Sequence, residues 1–152
     1  MSLMDLAGAP VVEPRYDQAS LEQARLLNAA RARLLDSASA ITTAMFAEGA
    51  GISEDAARAR VKRYRAARRL VTVPHDGEAL IPTFQLGPVY ELDPVAARVV
   101  GVLVNAGLGP WAIWDWAETP NGWLDQRTPA DAIRTGDADD VERALAGLLG
   151  DA

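Results

Sequence analysis

Seven cationic side chains, Arg58, Arg60, Lys62, Arg63, Arg65, Arg68 and Arg69, fall within twelve residues with no acid among them. The chemistry open to such a run is neutralisation of phosphate, which releases counterions and draws a protein onto nucleic acid. Asn, Gln and Ser, which read base edges beside arginine, are absent from the run, so it favours phosphate contacts over sequence reading. A solvated basic face around an Ala-Val seam is the bland reading of the same residues. Other chemistries find little footing. His75 is the single histidine and stands beside Asp76 in a turn, where a solvated ring is expected and a catalytic base is not. With no cysteine there is no thiol nucleophile, disulfide or zinc-cysteine site. No Gly-rich phosphate loop or metal-ligand spacing occurs. Asp139, Asp140 and Glu142 fall at a helix start, where acids suit the positive end of the macrodipole. We expect no catalysis, no cofactor and no metal.

The elements around the basic run must aim it. Thr42-Thr43 can cap a short helix to about Gly49. Gly51-Ile52-Ser53 makes a turn, Ser53 caps a second helix from Glu54 to about Arg68, and Glu54 and Asp55 suit its N-terminal end. Ala47, Gly51, Ile52 and Val61 fall where a helix-turn-helix places its small residue, turn glycine and core anchors. Leu70-Val71-Thr72-Val73 and Ala79-Leu80-Ile81-Pro82 flank an Asp76-Gly77 turn and predict a hairpin. On GISEDAARARVKRYRAARRLV, this order resembles a winged or MerR-like DNA-binding unit.

Before that unit, Gly8, Pro10 and Pro14 with no periodicity predict a mobile tail over residues 1–17. Ser20-Leu21-Glu22-Gln23 predicts a capping box for a helix to about Leu35, which packs on the domain or serves dimerisation. After it, Pro82 to Pro88 reads as a joint. Asp93-Pro94 opens an apolar helix that ends at Asn105-Ala106-Gly107 and should be buried. Gly109-Pro110 opens another, which Pro120 stops. Asn121-Gly122 predicts a tight turn with a buried Trp123-Leu124 pair. Thr128-Pro129-Ala130-Asp131 starts a helix that Gly136 ends. Asp137 is expected to cap the last helix, with Val141, Leu145, Leu148 and Leu149 on one face. The expected fold is mainly α: a helix-turn-helix with a short β-hairpin wing over residues 18–88, then an α-helical domain over 89–152.

All four tryptophans lie between Trp111 and Trp123. From there, TPNGWLDQRTPADAIRTGDADDVERALAGLL resembles the toxin-binding domain of the Xre/MbcA/ParS antitoxins, centred on Asn121, Leu124, Arg127, Pro129, Asp131 and Gly136. The resemblance implies a type II antitoxin that neutralises a RES-domain, NAD-degrading toxin by placing its C-terminal helix and tail in the toxin's active site. Its toxin-binding residues would be Trp123, Arg127, Asp131, Leu145, Leu149, Gly150, Asp151 and Ala152. It implies self-repression through operator DNA, with Arg58, Arg60, Lys62, Arg63, Arg65 and Arg68 as contacts, and a homodimer within a hetero-oligomer. The alternative is a free-standing winged helix-turn-helix transcription regulator whose C-terminal domain dimerises or senses a ligand.

Charge divides the chain the same way. Residues 1–70 hold eleven Lys and Arg against eight Asp and Glu, +3; residues 71–152 hold four against thirteen, −9. The first half could approach nucleic acid, and the second suits a protein or a cationic cleft. Without a long apolar run or a signal-peptide start, the expected location is the cytoplasm, with no membrane partner.

Overall fold

The computed structural model describes residues 17–150. They fall into two units that divide at Ala30 and Arg31. The first is helical from Gln18, the start of α1 (Gln18–Asp36). Asp17, not Ser20, starts this helix: its carboxylate accepts the Ser20 amide at 2.7 Å. Apart from Asp17, the expected tail lies outside the described residues.

The second unit is mainly helical with a small antiparallel sheet. From the end of α1 the chain forms β1 (Ala40–Thr42), α2 (Thr43–Ala50), α3 (Glu54–Ala66), β2 (Val73–His75) and β3 (Glu78–Pro82). Four helices follow: α4 (Pro94–Asn105), α5 (Pro110–Glu118), α6 (Pro129–Arg134) and α7 (Ala138–Leu149). The sheet has the order β1-β3-β2, with Ile41 opposite Ile81 and Val73 opposite Leu80. β1 is a strand that the sequence did not announce. Three residues carry too little pattern to be read alone, and this strand exists through its pairing with β3.

Strand alternation lets the sheet serve two apolar clusters. Ile41 and Ile81 join Phe46, Ala47, Ala57, Val61 and Leu70, the seat of α2 and α3. Val73, with Leu80 and Ala40 partly buried, joins Leu34, Val71, Phe84 and the buried faces of α4 to α7. The apolar core thus continues through the Pro82–Pro88 joint. α4 is buried at Ala96, Ala97, Val99, Val100 and Leu103, as its composition predicts. Trp114 is buried in the same cluster, and its indole N–H donates to Ser39 Oγ at 3.1 Å.

The hairpin turn is tighter than expected. Asp76 and Gly77 both have positive φ, 48° and 78°, the requirement of a two-residue type I′ turn. Strand pairing therefore reaches His75 and Glu78, and Leu70 to Thr72 form no strand. A buried side chain satisfies that segment instead. Gln85 is 0% exposed; its carboxamide accepts the Val71 amide at 2.7 Å and donates to the carbonyls of Val71 and Pro82, each at 3.0 Å. One side chain thereby pairs backbone that would otherwise be buried unpaired.

Gln85→Leu keeps the bulk and removes all three bonds. We predict a loss of about 2–4 kcal/mol, mainly from the stranded Val71 groups. The measurement is a urea midpoint that falls while the slope stays constant.

Candidate nucleic-acid interface

The turn between α2 and α3 is built from local chemistry. Thr42 Oγ1 accepts the Met45 amide at 3.1 Å and starts α2. At its other end Gly51 is left-handed, φ 70° and ψ 34°. Its amide reaches Glu48 O at 3.2 Å and the Ile52 amide reaches Ala47 O at 3.0 Å, a paired closure that glycine permits. Ser53 Oγ accepts the Ala56 amide at 3.1 Å and starts α3. Buried Ala57 and Val61 hold α3 against α2 and the sheet.

Apart from Tyr64, which packs partly buried against the same cluster, what remains of α3 turns to solvent. By helical spacing, the side opposite Ala57 and Val61 carries Ala59 and Ala66 along its middle. Arg58, Lys62 and Arg65 line one flank, and Arg60 and Arg63 the other; Arg69 is exposed just past the helix end. Among the described residues, Arg60, Lys62, Arg63, Arg65 and Arg69 have no carboxylate within ion-pair distance. Arg58 differs: its Nη1 lies 3.1 Å from Glu54 Oε1 and its Nη2 bonds Asp55 Oδ1. Arg68 lies past the helix end with φ 56° and donates to Asn105 Oδ1. Between α3 and the hairpin runs a groove of about 540 Å³, with Arg58, Lys62 and Arg65 on one wall and Gly77, Glu78 and Ala79 on the other. The hairpin carries Asp76 and Glu78 and no Arg or Lys, so the cations lie on the helix side alone.

The C-terminal residues singled out from the sequence have varied surroundings. Leu145 is 3% exposed and belongs to the core. Leu149 is half-buried against it. Arg127 fastens the turn before α6 to the start of α7: its guanidinium lies 2.6 Å from Asp137 Oδ2 and 3.0 Å from Asp140 Oδ2. Asp137 therefore does not cap α7 with its side chain. The bond from Arg127 and a second from Thr135 hold its carboxyl below the usual range. Asp131 pairs with Arg134 at 2.6 Å, which likewise lowers its pKa, and its amide donates to the capping Thr128 hydroxyl. Gly150, φ 77°, closes α7. Asp151 and Ala152 lie outside the described residues.

Trp123 corrects an expectation. Leu124 is buried, but Trp123 is 53% exposed. Asn121 Oδ1 accepts its amide at 2.9 Å, and its indole lies over Gly147 of α7, where any Cβ would collide with the ring. Gly122 to Leu124 form one 3₁₀ turn, in which consecutive side chains point about 120° apart, and the sequence holds no sign of the seat at Gly147. Leu148 beside it is 43% exposed. Among the described residues no three His, Asp or Glu are grouped to hold a metal ion, and no helix is long and apolar enough to cross a membrane.

No protein-family model matches this sequence, and no curated protein matches it. Among solved structures, the chain is similar to the NMR structure of Rv2175c, with a TM-score of 0.58 and 22% identity over 71% of this chain and 80% of that one. At that identity the likeness is one of fold.

Half-buried Glu118 closes α5, and burial pushes its carboxyl above the usual value although Arg134 pulls the other way. A raised pKa in the folded state means that the charged form costs stability at neutral pH. The cost fades as pH falls through the folded value, and it is gone below about 4.5, the ordinary value. Glu118→Gln is therefore expected to raise the urea midpoint at pH 7, with the gain closing below pH 4.5.

Proposed function

We propose that this chain is a duplex-DNA-binding protein with a regulatory role, built on a winged helix-turn-helix in which α3 is the recognition helix. The single observation behind this reading is the layout of the solvent side of α3. Small alanines run along its middle, and cations without acid partners stand on both flanks. The major groove of B-DNA admits one α-helix and carries a phosphate backbone on each side. A helix with a low central ridge and two charged borders matches that shape. The acidic hairpin adds no phosphate contact, so binding rests on α3, and two-fold symmetric sites would come from a homodimer.

A salt series tests the reading. Arg60, Lys62, Arg63, Arg65 and Arg69, all in phosphate contact, give a log-log slope of about −4.5. Arg65→Ala with Arg69→Ala is expected to weaken binding to every duplex alike and to reduce the slope by about 2. Affinity for duplex DNA that does not respond to salt would contradict it.

A second reading, the antitoxin one, draws on Trp123. A half-exposed tryptophan seated on glycine beside Leu148, in the acidic half of the chain, suits a protein partner, because tryptophan anchors account for much of interface affinity. Under this reading the partner is a RES-domain toxin, in line with the family resemblance of the same segment. In a growth-rescue assay against such a toxin, Trp123→Ala is expected to abolish protection, and Gly147→Ala, which expels the indole, to weaken it. Full rescue by both variants would remove the reading.

A further inference from the structure

The charges of α3 are unevenly distributed. Its first five residues hold Glu54, Asp55 and Arg58, net −1; from Arg60 to its end at Ala66 it carries four cations and no acid, and Arg68 and Arg69 follow directly. Arg58 alone of the seven cations has carboxylate partners among the described residues, and it has two. Two acids against one arginine make this end of α3 attract a DNA backbone less than the stretch from Arg60 to Arg65 does. This end can sit over the floor of the groove, where base edges present donors as well as acceptors.

Resting on the DNA-binding reading, we propose that Arg58, oriented by Asp55 and Glu54, reads a G·C pair and sets the sequence preference of this protein. Guanine presents O6 and N7 as acceptors in the major groove, and its cytosine partner presents an N4 amino donor. A planar guanidinium fork meets the first two atoms, and a carboxylate beside it accepts from the third. The carboxylates hold the guanidinium in place before DNA arrives, so less rotamer freedom is lost on binding. Unpaired Lys62, Arg65 and Arg69 lack this restraint and serve the backbone. Ala59, the next residue on the central ridge, leaves room for base edges to approach.

The experiment is selection from a random duplex library, followed by competition between the selected duplex and one with the G·C pair changed to A·T, at fixed salt. The wild type is expected to prefer the G·C duplex by roughly five- to hundredfold. Arg58→Lys keeps the charge but loses the fork, so this ratio should fall to near one; Asp55→Ala should reduce it. Arg65→Ala should weaken binding to both duplexes and leave the ratio intact. Because Arg58 is more than half exposed, an unchanged thermal melt separates this effect from misfolding. Duplex binding without a G·C preference, or a preference that survives Arg58→Lys, overturns this inference and leaves the DNA-binding reading standing. Failure of the wild type to bind any duplex at low salt overturns both.

Discussion

The Gln85 carboxamide settles where the chain goes after the basic helix. Leu70 to Thr72 must pass from α3 into the hairpin through the protein interior, and strand pairing starts only at Val73. Interior backbone without partners costs about as much as lost hydrogen bonds. Gln85 supplies the partners, binding Val71 on both its amide and its carbonyl and tying the segment to Pro82 in β3. That stitch and the Gly51 closure stand at the two ends of α3. Since Leu70 packs with α3 and Val71 packs with the C-terminal helices, the same three residues couple the two apolar clusters.

Positioned in this way, α3 turns its alanines and cations outward while the rest of the unit stays acidic. A field of this kind orients a polyanion as well as attracting it. The acidic hairpin sharpens the effect by leaving the helix as the sole attractive surface of the groove. Farther along the chain, Arg127 draws Asp137 and Asp140 together at the start of α7. It is thereby committed to internal structure, and Trp123 and Leu148 are the large apolar side chains left exposed in that region.

Local chemistry was legible in the sequence wherever a single residue type has one dominant use. Thr42, Ser53, Asp93-Pro94 and Thr128-Pro129 cap or open helices as their types require. Gly51, Gly77, Gly107 and Gly136 take positive φ. The apolar run of α4 is buried. The illegible parts depend on residues distant in sequence. β1 needs β3, Trp123 needs the empty space at Gly147, and Leu70 to Thr72 need Gln85. The cap at Asp17 shows a milder limit, since Asp and Ser compete for the same position and spacing alone preferred Ser20. Within the proposed site, the run of cations was evident, but the division between free arginines and the braced Arg58 was not. The spacing of Glu54 and Asp55, four and three residues before Arg58, held that signal, but both acids were read only as suiting the helix start.

Nitrogen-15 amide spectra recorded during titration with a duplex address the surface of α3 directly. Shifts concentrated between Ser53 and Arg69, with Trp123 to Gly150 undisturbed, are the result expected if α3 enters the groove. Shifts spread over Trp123 to Gly150 while α3 stays silent would contradict it.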